Sequence, residues 1–290
     1  EYIYDYSRAG NPTRTDLETN ISSLEEGVGA AAFGSGMAAI SAVLTFLEPG
    51  DHIISNYNVY GGTFRLIDKI LLDMGINISW VDTSSMAEIE NALNDDTKMI
   101  LIETPTNPML NIIDIEKLGQ ISKKHNLTFV VDNTFATPFL QRPLDLGADI
   151  VMHSLTKYMG GHSDICAGVV AASQEHMDKV WQTGICFGGS LSDYTVWLLE
   201  RSLKTMAIRV KAQNENAMQM ATYLSQSKDV DHVYYPGLKD HPGHELAKSQ
   251  MKGFGGMLSF ELNPEIDASQ FFKELKVVPK EVIGKKLLYH

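Results

Sequence analysis

Short apolar runs rich in β-branched residues alternate along the chain with longer segments whose apolar residues recur at helical spacing. The runs predict strands at residues 51–55, 77–81, 99–102, 128–131, 149–152 and 168–172, and the segments between them predict helices at 63–74, 86–93 and 114–125. Strands and helices that take turns are typical of a mostly parallel α/β sheet with right-handed crossovers and helices on both faces. Because the strands are apolar throughout, both faces of this sheet are expected to be buried.

The most apolar segment, residues 27–47, is long enough to raise the question of a membrane span. Its four glycines, its alanines and Ser35 argue against one, because a lipid-spanning helix is built mainly from Leu, Ile, Val and Phe. The segment instead predicts a strand, a glycine turn and a helix. The chain opens without the basic and apolar regions of a signal peptide and without Met, so we expect residues to precede Glu1.

After Ser192 the pattern changes to a long helical stretch from residue 193 to about 225, followed by a strand-like return at 256–261. We therefore predict a large domain over residues 1–205 and a smaller C-terminal α/β domain over residues 206–290. Apolar positions in the second part of the helical stretch indicate a buried helix face. This face comprises Met206, Val210, Ala217, Met220 and Leu224.

The 290 residues carry 24 Lys and Arg against 36 Asp and Glu, a formal net charge of -12. This balance gives no excess of positive charge that could bind a nucleic acid or an anionic membrane, and it favours a small-molecule substrate. Cys166 and Cys186 match neither a disulfide framework nor a zinc knuckle, so we interpret them as core residues of a cytoplasmic protein. His241 and His244 flank a Pro-Gly pair that breaks the helix of a metal-binding motif, and we predict no metal site.

Polar residues come directly after four of the predicted strands. In an open parallel sheet, ligands bind beyond the carboxyl ends of the strands, so these residues are the first candidates for a functional site. They lie at 103–108, at 132–134, at 153–157 and in a glycine turn at 34–37 that opens a helix. One acid, one amine and one anion-binding turn are therefore expected at the same edge of the sheet.

The turn at 34–37 presents backbone N–H groups at a helix start, where the helix dipole favours a phosphate. A turn that only packs the helix on the sheet is the simpler alternative. The same residues also fit the G-x-G-x-x-A fingerprint of a nicotinamide-dinucleotide domain. That fingerprint requires an acidic residue about 20 positions later, and Glu48 and Asp51 come too early in the chain.

Lys157 follows a strand and is surrounded in sequence by hydroxyl side chains. A lone Lys is usually a solvated surface charge. At the catalytic edge of a sheet, however, a Lys can form a Schiff base with an aldehyde. An aspartate such as Asp132, placed against a pyridine nitrogen, would keep that ring protonated and make it an electron sink.

Six blocks of the chain resemble the pyridoxal-phosphate-dependent family of cysteine and methionine metabolism, and they occur in the family's order. The blocks are YSRAGNPT at 6–13, SGMAAI at 35–40, VYGGT at 59–63, ETPTNP at 103–108, VDNTF at 131–135, and HSLTKY at 153–158 followed by GHSD at 161–164. The resemblance implies a fold type I transferase-like architecture and pyridoxal 5'-phosphate as the cofactor.

The resemblance also implies roles for individual residues. Lys157 matches the lysine that anchors the cofactor aldehyde, Asp132 the partner of the ring nitrogen, and Tyr60 the tyrosine stacked on the ring, and these three are the expected catalytic residues. The expected phosphate and ring contacts are Ser35, Gly36, Met37, Glu103, Asn107, Thr134, Ser154 and Thr156. Tyr6 and Arg8 match a pair that the family supplies to the phosphate of a neighbouring subunit, which implies a homo-oligomer, a tetramer formed as a dimer of dimers.

The family resemblance implies a carbon–sulfur lyase of sulfur amino-acid metabolism. We expect it to cleave cystathionine, with γ-elimination ahead of β-elimination. Cystathionine γ-synthase and methionine γ-lyase are the alternatives within the family, and a nicotinamide-dependent oxidoreductase is the alternative from another class. Methionine γ-lyases of this family typically carry Cys at the position of Gly62, and we expect this glycine to leave room beside Tyr60 for a long substrate. The C-terminal domain departs from the family pattern, and we expect it to be incomplete, with a gap after about residue 277.

Overall fold

The computed structural model describes residues 4–275, 282–283 and 286–289. The helices are α1 Pro12–Glu25, α2 Gly36–Leu44, α3 Gly61–Leu66, α4 Met86–Ala92, α5 Ile115–His125, α6 Thr137–Leu140, α7 Gln174–Phe187, α8 Asp193–Leu203, α9 Met206–Ser225, α10 His244–Gln250 and α11 Ala268–Glu274. The strands are β1 Gly29–Phe33, β2 His52–Asn56, β3 Asn77–Val81, β4 Thr97–Glu103, β5 Thr128–Asp132, β6 Ile150–Ser154, β7 Gly168–Ala172, β8 Val230–Tyr234, β9 Leu258–Leu262, β10 Val282–Ile283 and β11 Lys286–Tyr289. The segment predicted as one helix over 63–74 is α3 followed by a π-helical segment, Ile67–Leu71.

The large sheet contains seven strands in the described part of the chain, in the order β1-β7-β6-β5-β4-β2-β3. The strands from β2 to β6 pair in parallel, whereas β7 pairs antiparallel with both β6 and β1. Two successive antiparallel pairings restore the direction of the chain, so β1 runs the same way as β6. The carboxyl ends of β1, β4, β5 and β6 therefore meet at one edge, and the predicted mostly parallel α/β fold is confirmed.

Alternate residues of β1 show how helices cover both faces of this sheet. Ala30 and Ala32 belong to a buried cluster that includes Leu17 and Ile21 of α1. Ala31 and Phe33 point to the other face and join the cluster of α2 and α7. Full burial of a large aliphatic side chain contributes about 1.5–3 kcal/mol, so these two clusters hold the glycine turn after β1 against a rigid sheet.

A second, antiparallel sheet follows with the order β10-β11-β9-β8 among the described residues. Ala217 and Ala221 of α9 pack on this sheet beside Val233 and Phe260. The proposed domain boundary after residue 205 coincides with the turn between α8 and α9 and stays a prediction. The expected gap after residue 277 lies outside the described residues.

The helical stretch predicted over 193–225 is two helices, α8 and α9, which are separated at Lys204 and Thr205. Arg209 donates from Nη2 to the Ser202 carbonyl at 3.0 Å and from Nε to the Thr205 hydroxyl at 3.1 Å. Because an arginine satisfies a carbonyl at the end of α8, the break needs neither Gly nor Pro. The prediction that Met220 belongs to a buried face is wrong, since this side chain is 50% exposed.

The question of a membrane span is answered for the described part of the chain. There, no helix combines the length and the apolar character needed to cross a bilayer. The apolar segment 27–47 contains β1 and the nine-residue helix α2, as expected.

Candidate active site

A cavity of about 350 Å³ opens at the edge of the sheet where β1, β4, β5 and β6 end. All the predicted site residues except Tyr6 and Arg8 line it. These lining residues are Ser35, Gly36, Met37, Tyr60, Glu103, Asn107, Asp132, Thr134, Ser154, Thr156 and Lys157. The structure therefore brings together the acid, the amine and the helix start that the sequence places in separate blocks.

The start of α2 forms one wall of the cavity. The Ser35 hydroxyl caps this helix by accepting the Ala38 amide at 3.0 Å. The amides of Gly36 and Met37 belong to the first turn, where a helix has N–H groups without intrahelical acceptors. A Cβ atom on Gly36 would lie 2.9 Å from the Cβ atom of Ser154, so glycine allows the helix start to approach β6. These donors and the adjacent Ser154 side chain fit a phosphate group.

Asp132 is held in place by Thr134. The Thr134 hydroxyl donates to Asp132 Oδ1 at 2.5 Å, and the Thr134 amide donates to the same oxygen at 3.0 Å. The Thr134 hydroxyl in turn accepts the Ser154 amide at 2.8 Å. Burial raises the pKa of Asp132, and the bonds from Thr134 and the nearby His153 act in the opposite direction. A cation placed against this oriented carboxyl would stabilise its charged form.

Glu103 lies beside Asp132 and fixes the backbone of Tyr60. The two acids are direct neighbours in the register of β4 and β5. Glu103 Oε2 accepts the Tyr60 amide at 2.6 Å, just before α3 begins. Burial, together with the charge of Asp132, raises the pKa of Glu103 well above its usual range. A neutral Glu103 can therefore hold Tyr60 at the cavity mouth without repelling Asp132.

Gly62 does not leave open room beside Tyr60. A Cβ atom on Gly62 would lie 2.4 Å from Cε1 of Tyr60 and 2.8 Å from Sδ of Met37. The expectation of a roomier pocket is therefore wrong, because the Tyr60 ring itself occupies the space that glycine provides. What Gly62 allows is a close contact between the tyrosine ring and the backbone of α3.

Lys157 lies in a turn after β6, where its amide donates to the Ser154 carbonyl at 3.2 Å. Its side chain is exposed and lines the cavity. The neighbouring Thr156 hydroxyl donates to the Ala167 carbonyl at 3.2 Å and accepts the Ala167 amide at 3.1 Å, which ties the turn to the start of β7. The amine is thus carried by an anchored turn and faces the same cavity as Asp132.

Tyr6 and Arg8 do not reach the cavity of their own chain. Both side chains are exposed, and the Arg8 guanidinium lies 5.0 Å from the centre of the Tyr6 ring. Arg8 also donates to the carbonyl of Ile185, near the end of α7. Neither side chain is among the residues that line the cavity.

Five residues of the cavity wall were not predicted from the sequence, namely Ile40, Thr63, Phe135, Met152 and Cys166. Ile40, Thr63 and Phe135 each end one of the predicted blocks, so their position beside motif residues was the available signal. The interpretation of Cys166 and Cys186 as core residues is wrong, since both thiols are free and exposed. In the described residues, no cluster of three or more His, Cys, Asp and Glu side chains could hold a metal ion.

Comparison with known proteins identifies the family. Residues 1–282 match the family model described as Cys/Met metabolism PLP-dependent enzyme. The chain belongs to this family. The expected pyridoxal-phosphate dependence and carbon–sulfur lyase class are thereby confirmed.

Several well-described members are similar over most of the chain. A cystathionine beta-lyase of Lactococcus lactis subsp. cremoris is 50% identical over 273 residues, which cover 94% of this chain and 72% of that protein. A cystathionine gamma-lyase of Bacillus subtilis is 48% identical over 275 residues, 94% of this chain and 73% of that protein. The crystal structure of a cystathionine gamma-lyase from Lactobacillus plantarum complexed with L-serine superposes with a TM-score of 0.95 at 44% identity, covering 97% of this chain and 74% of that one.

Proposed function

We propose that this enzyme cleaves cystathionine at a carbon–sulfur bond, with γ-elimination to cysteine, 2-oxobutanoate and ammonia as its main reaction. The observation that carries the proposal is the single cavity that joins the Lys157 amine, the Asp132 carboxyl and the first turn of α2. Similarity to the gamma-lyases of Bacillus subtilis and Lactobacillus plantarum supports the γ direction.

The cavity suits pyridoxal phosphate on the chemistry of its donors. The α2 amides of Gly36 and Met37, with the Ser154 hydroxyl, would hold the phosphate. Asp132, oriented by Thr134, would hold the ring nitrogen, and Lys157 would anchor the aldehyde. When bound, the cofactor supplies an aldehyde that links to amines and a protonated ring that withdraws electrons from the substrate's Cα.

The chain's own groups then move the protons. The Lys157 amine would take the proton from the substrate Cα and, for γ-elimination, from Cβ as well. The Tyr60 phenol, at the cavity mouth and 47% exposed, would give a proton to the departing sulfur. Positioned acid–base groups of this kind contribute about 10²–10⁴-fold each, so Lys157 and Tyr60 are both expected to be essential for useful turnover.

β-Elimination to homocysteine, pyruvate and ammonia is the second candidate. The beta-lyase of Lactococcus lactis subsp. cremoris, at 50% identity, favours it. The γ-synthase and methionine γ-lyase reactions lie within the same family and serve as further outcomes of the test.

We propose that the active unit is a homo-oligomer, a tetramer built as a dimer of dimers. The outward position of Tyr6 and Arg8, away from their own cavity, supports a phosphate site completed by a second chain. We also propose a cytoplasmic location, because a reducing compartment preserves free thiols such as Cys166 and Cys186.

The test supplies purified enzyme with cystathionine alone and identifies the keto acid. The proposal expects 2-oxobutanoate and cysteine in equal amounts. Pyruvate with homocysteine would show β-elimination. If neither keto acid forms, but an O-acylated homoserine and cysteine yield cystathionine, the proposed cleavage of cystathionine is wrong and its synthesis is the main reaction. Lys157→Ala is the blank for every assay.

A further inference from the structure

Arg14 is a buried arginine that is not part of the cavity. It lies in the first turn of α1 and is 5% exposed. Its Nη1 atom donates to the Ser7 carbonyl at 2.8 Å and its Nη2 atom to the Arg8 carbonyl at 3.2 Å. Arginine is almost never buried unless its charge and donors are satisfied, so the contacts of this guanidinium must account for its burial.

The other side of Arg14 is tied to the large sheet through Glu18. Arg14 Nε lies 3.5 Å from Glu18 Oε1, and this oxygen accepts the amide of Ala32 in β1 at 2.9 Å. Burial raises the pKa of Glu18 to about 7, against the opposing effects of Ala32 and Arg14. Above this pH the carboxylate balances the buried guanidinium. A continuous set of polar contacts therefore links the backbone at residues 7–8 to β1, the outermost strand of the large sheet.

The segment that Arg14 holds has a fixed backbone and outward side chains. The Tyr6 carbonyl accepts the amides of Ala9 at 2.9 Å and Gly10 at 3.0 Å, which closes a tight turn. The Tyr6 side chain is 60% exposed, and Arg8 is exposed as well. A backbone secured from within, with side chains facing solvent, is the arrangement of a segment that presents those side chains to a partner.

We infer that Arg14 is a positioning residue that presents Tyr6 and Arg8 to the cofactor phosphate of a second copy of this chain. The inference rests on the proposed function, in which that phosphate site is shared between subunits. Arg14 acts only through the segment of residues 6–10, here called the arm, so its loss damages the partner's site and spares the site of its own chain. Lysine cannot replace it, because a single ammonium cannot bridge two carbonyls and Glu18 with a planar fork of donors.

The first measurement is pyridoxal phosphate affinity at pH 8, where Glu18 is ionised. Arg14→Lys in every subunit is expected to raise the Kd at least about tenfold, since it removes charge-assisted hydrogen bonds to the arm. Arg201→Lys, an exposed arginine on α8, is the matched control and should bind as the wild type does. Wild-type affinity in Arg14→Lys would overturn the inference.

The second measurement separates a presenting role from a merely structural one by mixing subunits. Co-expressed Arg8→Ala and Lys157→Ala chains should regain about a quarter of the wild-type activity, because half of randomly paired dimers contain one intact site. Arg14→Lys mixed with Lys157→Ala should regain the same fraction. Glu18→Gln, which keeps an acceptor for Ala32 but not the charge, provides a second variant if Arg14→Lys does not fold.

The outcomes of the mixing experiment test two claims separately, namely that the phosphate site is shared between subunits and that Arg14 positions the arm. Recovery in both mixtures supports the inference. Recovery with Arg8→Ala but not with the Arg14 or Glu18 variants means that the damage lies within the variant's own chain, which overturns the inference and leaves the shared site standing. No recovery in the Arg8→Ala mixture contradicts the shared site itself, and the inference fails with it.

Discussion

Glu103 and Asp132 are neighbouring acids at the cavity that are suited to different tasks. Thr134 donates two hydrogen bonds to Asp132, which favours its charged form. Glu103 is buried, and its Oε2 atom accepts the Tyr60 amide. Two adjacent carboxyls, one buried and one half-buried, do not readily ionise together, and the raised pKa of Glu103 makes it the one that keeps its proton.

Glu103→Gln should therefore preserve activity. Glutamine is neutral, has nearly the same shape and can still accept the Tyr60 amide, so kcat/KM with cystathionine is expected to stay within about threefold of the wild type. Glu103→Leu leaves that amide without an acceptor, which costs about 1–3 kcal/mol and should lower kcat/KM about tenfold or more. A loss in Glu103→Gln as large as that in Glu103→Leu would show that a charged Glu103 is required.

Sequence reasoning predicted polar groups that the structure gathers at the cavity, but not the packing around them. Lys157, Asp132 and Tyr60 were found because each follows a strand or stands in a recognisable block. Cys166 and Gly62 were misjudged because a spacing does not reveal which side chain fills a given space. The Tyr60 ring, contributed by a residue two positions away, occupies the volume beside Gly62.

Helix α1 is joined to strand β6 by a buried acid–histidine pair. Glu25, the last residue of α1, contacts His153 Nε2, and both side chains are at most 1% exposed. The second oxygen of Glu25 and Nδ1 of His153 have no partner in the described structure. Since β6 leads directly into the Lys157 turn, this pair connects the helix that follows the Tyr6–Arg8 arm with the strand that carries the amine.

His153→Leu should destabilise the protein strongly. It leaves Glu25 buried without a partner, a situation that costs about 3–5 kcal/mol. The double variant with Glu25→Leu should recover most of this loss, because an apolar pair of suitable volume can replace a buried ion pair. His125→Leu, on the exposed end of α5, serves as the control. The measurement is urea unfolding at one protein concentration, and equal losses in the single and double variants would contradict the account.

The strands could be read from the sequence because a sheet buried on both faces is built from continuous apolar runs. The helices between them could be read because their apolar residues recur at helical spacing. The break between α8 and α9 could not, because it depends on Arg209 reaching back to Ser202. A contact of this kind is made only once the chain has folded. The same applies to Arg14. Its burial is explained by hydrogen bonds to the backbone carbonyls of residues 7 and 8, and no local sequence pattern indicates it.

The fold as a whole places two candidate functional parts of the chain in different positions. The carboxyl ends of the parallel strands assemble a cavity that Lys157 lines, while α1 holds an exposed arm whose Tyr6 and Arg8 side chains do not line that cavity. In the proposed oligomer, such a chain would supply most of one site and part of another. The catalytic claims nevertheless depend first on Lys157 being the residue that binds the cofactor.

Borohydride reduction followed by peptide mapping identifies the lysine that holds the cofactor. The purified enzyme should be yellow, lose its colour on reduction and retain a pyridoxyl group on Lys157 alone. Lys157→Ala should fold, bind no cofactor covalently and show no turnover. A pyridoxyl group on another lysine, or a fully active enzyme that carries none after reduction, would contradict the account.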